Sequence, residues 1–329
     1  MKRLLKLLLL PLSVVPFIAG VPIVIAQHER FDREHNMGPL PASTATLTAT
    51  ETTAMPVLPA TPGKIPVLLW HGISATRDGY SVTQDELARQ LATLKHLGYE
   101  SISAEQWADF RAGRAVDLPA KPILLTFDDG RLDSYRGADR VLQRYGMRAT
   151  MFVITGRTES GDPEYLTWAE LHGMADSGRW DLEPHGHEGH QKLTVAPDGT
   201  QAPFYAARRY TRSEGMETLA EWEARVSTDL FAVNESFADQ GLTPHVFAVP
   251  FGDYGQRDGN DPAIPELFTS LLTRQFGSYF IQTPESDPAF TVPGTGPASR
   301  FVMRTDTTPA SLYAWLKLHS ILPKQKSKR

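Results

Sequence analysis

Three of the chain's ten histidines fall within six residues, in Pro184-His-Gly-His-Glu-Gly-His190. His185 and His190 lie on an irregular, glycine-containing segment, so both rings can turn toward one cation. Neutral imidazole with carboxylate is a usual donor set for Zn²⁺ or another borderline divalent metal, and a catalytic site leaves a coordination position for water. The carboxylates are near in pattern if not in sequence. Pro122-Ile-Leu-Leu-Thr-Phe-Asp-Asp-Gly130 reads as a buried strand halted by Asp128 and Asp129. His187, between the two candidate ligands, is assigned to solvent or to support of the ligand shell.

These groups need elements to carry them, and the chain supplies strand and helix in alternation. Ile65-Pro-Val-Leu-Leu-Trp70 is an apolar strand ending in His71. Thr83-Gln-Asp-Glu86 is a capping box, followed by Leu87, Leu91 and Leu94 on one helix face. The central strand precedes a helix around Tyr135 to Tyr145. Further strands are expected at Ala149 to Ile154, at Trp180 to Glu183 and at Val246 to Val249. Helices are expected over Glu214 to Asp239, Pro265 to Phe276 and Ser311 to Leu322. Gln191 to Arg212 reads as a polar surface excursion over one rim. The spacing is that of repeated βαβ units. His71, Asp128, Asp129, His185 and Pro250-Phe251-Gly252 each stand where a strand ends, and in a parallel βα barrel those ends share one face.

Composition bounds the rest. The absence of cysteine excludes disulfides, thiolate metal sites and cysteine nucleophiles. A net charge of -5 gives no reason to expect nucleic acid as partner. Lys2, Arg3 and Lys6 precede an uncharged apolar run, an export signal that is either cleaved or kept as a membrane anchor over 1–26. Residues 27–63 are rich in Pro, Ala, Ser and Thr and read as a linker that lifts the folded part off the membrane. A single catalytic domain is expected over 64–322, with a basic tail at 323–329. The protein is expected outside the cytoplasm, touching membrane only through its N-terminal segment.

Thr126-Phe-Asp-Asp-Gly130, the His185/His190 pair and Phe247-Ala-Val-Pro-Phe-Gly252, in that order, resemble the polysaccharide deacetylases of the NodB-homology type, carbohydrate esterase family 4. Trp70-His71-Gly72 and the five-residue histidine spacing resemble the biofilm poly-β-1,6-N-acetyl-D-glucosamine N-deacetylase branch. The resemblance implies an α/β fold, a distorted (β/α) barrel. It implies one divalent metal, Zn²⁺ first and Ni²⁺, Co²⁺ or Fe²⁺ after it, held by Asp129, His185 and His190. It further implies Asp128 as general base and His71 as general acid. In this branch the acid comes from the N-terminal motif, and the usual C-terminal histidine motif has no match in Arg300-Phe-Val-Met-Arg304. Ala248 stands where common members carry an arginine that braces the base.

The implied substrate is an acetylated amino-sugar polysaccharide, with a backbone N–H near Phe251 facing the oxyanion. Pro250, Trp70 and Tyr254 are expected at the substrate rim, and Tyr80 and Trp168 are further aromatics that could stack on sugar. Peptidoglycan or chitooligosaccharide deacetylation is the alternative within enzymes, and a non-catalytic polysaccharide-binding scaffold the alternative outside them. Glycoside hydrolysis by paired carboxylates fits poorly, because it sets the two acids across a sugar rather than side by side.

Overall fold

Apolar side chains alternate along β1 (Ile65–Trp70). Ile65 and Val67 point to one cluster, Leu68 and Trp70 to another. That two-residue period is the rule for a strand with a core on both faces, and it recurs in every major strand of the computed structural model, which describes residues 31, 35–75, 79–282 and 289–321. In β3 (Pro122–Phe127) and β4 (Ala149–Val153), Leu124 and Phe152 face the first cluster. In β10 (Phe247–Ala248) and β11 (Ser278–Ile281), Ala248 and Phe280 do the same. This inner cluster is the lumen of a barrel-like wall.

The wall is built from two sheets. β1, β3, β4 and β5 (Trp180–Pro184) run parallel, and β2 (Glu100–Ser101) pairs with the start of β3. The second sheet is β10, β11 and β13 (Gly296–Ser299), also parallel. β12 (Phe290–Thr291) and β14 (Phe301–Val302) pair with β1. No closed hydrogen-bonded ring forms among the described residues. Glu183, buried on β5, bridges one gap by accepting from the backbone N–H groups of His245 and Val246 beside β10, at 2.8 and 3.1 Å.

Helices cover the outside. The segments α2 (Gln84–His96), α4 (Leu132–Tyr145), α6 (Trp168–Asp176) and α9 (Pro309–Ile321) pack against the first sheet, whereas α3 (Ala104–Arg111) sends Ala104, Trp107 and Ala108 into the inner cluster. α5 (Thr155–Glu159) follows β4 directly. The second sheet is covered by α7 (Leu219–Asp239) and α8 (Ile264–Phe276). Thr83, Ser103, Thr167 and Thr218 each close a capping box, which fixes where α2, α3, α6 and α7 begin.

Two expectations are corrected. The polar stretch after His190 forms two hairpins, β6–β7 (Lys192–Thr194 with Gln201–Pro203) and β8–β9 (Tyr210–Thr211 with Gly215–Met216). It is no surface excursion, because Phe204 and Tyr205 are buried in the cluster shared with α7 and α8. Residues 35–63 are likewise not a free linker. Thr48 and Glu51 form a capping box that starts α1 (Ala49–Ala54). Arg89 and Arg144 donate to the carbonyls of Thr46 and Ser43, and Lys121 donates to that of Leu58. Met55 and Leu58 are buried, Leu58 within the main outer cluster. The segment has no core of its own, as its composition says, but it lends side chains to the domain's core. The expected N-terminal signal or anchor and the basic tail lie outside the described residues. No described helix is long and apolar enough to cross a membrane.

Leu58→Ala is expected to lower stability by about 2 to 5 kcal/mol in urea unfolding; a segment that served only as slack would leave the unfolding midpoint unchanged.

Candidate metal centre

Parity along β3 decides where its two aspartates go. Leu124 and Thr126 face the lumen, so Asp128, two residues on, enters the barrel mouth and is buried. Asp129 would point away in an extended strand. Its backbone instead takes φ +79°, a conformation unusual for a residue with a Cβ. This turn brings its carboxylate beside the two histidines. Asp129 Oδ1 lies 3.3 Å from His190 Nε2 and 3.5 Å from His185 Nε2. For a tetrahedral ion with ligand bonds of about 2.0–2.1 Å, donor atoms sit roughly 3.3–3.4 Å apart.

The donor set also has the right chemistry. His185 Nδ1 lies 2.8 Å from the carbonyl oxygen of Ala248 and donates to it, which fixes the tautomer and leaves Nε2 with a free lone pair. Burial pushes the His185 imidazole down to about 4, so the ring is neutral. Asp129 Oδ1 is buried without a hydrogen-bond partner among the described residues. An orphaned carboxylate oxygen between two imidazole nitrogens is costly unless a cation meets it. The three residues therefore fit a divalent metal. Phe251, also in the left-handed region at φ +58°, lays its ring 4.6 Å from that of His190.

Asp128 has a partner that sequence reading missed. Arg300, at the end of β13, makes a fork of hydrogen bonds to it at 2.6 and 2.7 Å. The guanidinium is fully buried, with Phe152 and Phe280 at 5.3 and 5.5 Å. Burial alone would raise the Asp128 carboxyl, but the Arg300 guanidinium overcomes it and the group is held at about 2. Ala248 cannot hold Asp128, and Arg300 does so from 172 residues away in sequence. In the sequence Arg300 stands in no motif that marks it for this role.

The remaining predicted residues divide. His71, beyond β1, lies near the Asp128 carboxyl. Its Nδ1 is buried without a hydrogen bond among the described residues, and its ring meets Tyr80 edge-on at 5.7 Å. Pro250 is buried, and Tyr254 is half-buried against the α7–α8 cluster. Trp70 is corrected: it is fully buried, stacked on Phe127 at 5.3 Å and bonded to Gln90. It shares the outer face with Leu68, so it cannot reach a sugar at the rim. Trp168 packs on Phe237 in the outer cluster. His187 stands outside the Asp129–His185–His190 group and shares a 2.9 Å hydrogen bond with Thr155.

Residues 115–259 match the family model for polysaccharide deacetylase. Over these residues, a little under half of the chain, it resembles a polysaccharide deacetylase domain. Asp128, Asp129, His185, His190 and Phe251 all fall inside the matched part of this domain, while His71 and Arg300 fall outside it. The chain is 28 % identical over 216 residues to the poly-β-1,6-N-acetyl-D-glucosamine N-deacetylase of Escherichia coli (strain K12), a match covering 60 % of this chain and 31 % of that protein. The chain thus spans about a third of that relative's length. It is 33 % identical over 117 residues to the putative polysaccharide deacetylase YxkH of Bacillus subtilis (strain 168), covering 36 % of this chain and 40 % of the relative. In fold it is similar to a de-N-acetylase from Aggregatibacter actinomycetemcomitans, with TM-score 0.67 at 20 % identity over 77 % of this chain and 100 % of the other. The BpsB deacetylase domain of Bordetella bronchiseptica aligns with TM-score 0.57 at 24 % identity, covering 75 % and 100 %.

Arg300→Ala leaves a buried carboxylate unpaired and is expected to cost about 3 to 5 kcal/mol in chemical unfolding. An unchanged midpoint would remove Arg300 from its role as brace.

Proposed function

We propose that the domain hydrolyses the acetamido groups of N-acetylglucosamine residues in an extracellular or cell-envelope polysaccharide, releasing acetate and leaving free amines. The observation that carries this reading is the meeting of Asp129, His185 and His190 around one point, with a second, clamped acid beside them. Poly-β-1,6-N-acetyl-D-glucosamine is the first substrate, in keeping with the named activity of the Escherichia coli relative. The metal is Zn²⁺ or a similar divalent ion, and the domain works outside the cytoplasm.

Three protein ligands would leave such an ion a coordination position for water. A bound divalent ion supplies polarisation of the acetyl oxygen and acidification of a water. Asp128 accepts the water's proton. The arginine that keeps Asp128 ionised also makes it a weak base, so it depends on a water already made acidic. Arg300 holds its two oxygens in one orientation, so the lone pair facing the water does not swing away. His71, protonated, gives its proton to the departing nitrogen, which would otherwise leave as a poor amide anion. The backbone N–H near Phe251 stabilises the oxyanion. Tyr80, 58 % exposed beside His71, is the aromatic best disposed to meet a sugar ring.

Acetate release from defined β-1,6- and β-1,4-linked oligomers tests the reading. The expected result is acetate from an intact chain, faster on the β-1,6 series. Shortened chains would mean glycoside hydrolysis, and binding without acetate would mean a scaffold.

Two variants test the roles. Asp128→Asn should keep the metal and lose turnover on the order of 10²- to 10⁴-fold, whereas wild-type turnover would remove Asp128 as base. His185→Ala should abolish stoichiometric metal by elemental analysis; a full metal complement would remove it as ligand.

A further inference from the structure

Between the two histidine ligands, the loop 185–190 is held from below by a side chain that the chemistry above does not use. Asp229, buried on α7, accepts hydrogen bonds from the backbone N–H of His187 at 3.1 Å and of Glu188 at 2.7 Å. The Tyr205 hydroxyl donates to the same oxygen that meets His187. Tyr205 is buried and stacks on Phe268 at 5.0 Å. Burial and then the neighbouring Asp229 push its phenol well above its usual range, so it remains a donor.

The loop is shaped to accept this support. A Cβ on Gly189 would stand 2.2 Å from the Tyr205 ring carbon that bears the hydroxyl. One on Gly186, where φ is +92°, would stand 2.8 Å from that hydroxyl. Both glycines therefore leave the space that Tyr205 fills. His185 has its own anchors, the Ala248 carbonyl and a backbone bond from its N–H to Val153 at 2.8 Å. His190 is 26 % exposed, and its ring contacts are with His185 and Phe251. Its position relative to His185 depends on the path of the four residues between them, and Asp229 binds two of those residues.

We propose that Asp229, held in turn by Tyr205, is a positioning residue for the metal centre, which fixes the spacing of His185 and His190 before any ion arrives. This rests on the assignment of Asp129, His185 and His190 as ligands. The hairpin insertion thereby acquires a purpose, since it carries Tyr205 under the ligand loop. Without both loop bonds the segment has more conformations to lose on binding metal, and affinity falls.

The test is zinc affinity of the full chain by competition with a chromophoric chelator, together with thermal unfolding of the metal-free protein. In Asp229→Asn one acceptor becomes a donor facing the loop amide or the phenol. Its zinc affinity is expected to fall by about 10- to 100-fold, the range found for outer-shell partners of metal ligands. Tyr205→Phe keeps the ring packing and both loop bonds, and is expected to weaken zinc several-fold, less than Asp229→Asn. A purely structural Asp229 would lower the melting temperature of the metal-free variant and leave zinc affinity at the wild-type value, which overturns the proposal. Should Asp229→Asn not fold, unchanged zinc affinity in Tyr205→Phe overturns it equally. Failure of the wild type to take up zinc, or retention of zinc by His185→Ala, would instead overturn the ligand assignment beneath it.

Discussion

A carboxylate sealed in the mouth of an apolar barrel has to be compensated, and the Arg300–Asp128 fork is how this chain does it. The lumen below is filled by Leu124, Phe152, Val246, Ala248 and Phe280, which offer Asp128 no hydrogen bond. Burial works against ionisation and the arginine works for it, and the arginine prevails. The same guanidinium is fully buried and lies against two aromatic rings. Each charge is tolerable only because of the other. This ties the last strand of the second sheet to the central strand of the first, where no backbone ladder closes the wall.

Around that pair, backbone strain is concentrated where chemistry is proposed. Asp129 and Phe251 both adopt positive φ without being glycine, and both meet His190. Such conformations persist only when the surroundings over-determine them. Here β3 and the Pro250 turn hold the main chain while side chains converge. Support then passes outward in steps. Ala248 orients His185, Asp229 shapes the loop to His190, and Tyr205 steadies Asp229. Asp129 and His185 follow the ends of β3 and β5, and the loop that leads on to His190 is clamped by Asp229.

The peripheral segments repeat a theme of borrowed stability. Residues 35–63 and the two hairpins after His190 are both polar and rich in Gly, Pro or small residues, and both read as exposed in one dimension. Each is ordered because a few side chains enter a core built by other elements: Met55 and Leu58 in one case, Phe204 and Tyr205 in the other. Arginine and lysine side chains from the body meet the carbonyls that such segments cannot pair for themselves. Local composition describes whether a segment can make a core, and is silent on whether it can join one.

Much was legible in the residues alone. The period-two strands, the capping boxes at Thr83 and Thr167 and the polar residues at strand ends follow from local stereochemistry, which each stretch carries within itself. The motifs around Asp128, His185 and Pro250 pointed to the family that residues 115–259 match. Trp70 was misplaced because an aromatic next to a functional histidine says nothing of parity, and parity along β1 puts it on the outer face. Arg300 and Asp229 were invisible for a different reason. A brace and a clamp are defined by what they touch across 172 and 41 or 42 residues of chain, and neither stands in a motif of its own. Sequence determined which side chains reach the mouth of the barrel; only the packing of the second sheet and of α7 decided what holds them there, because a buried charge takes its partner from whatever the fold brings within reach.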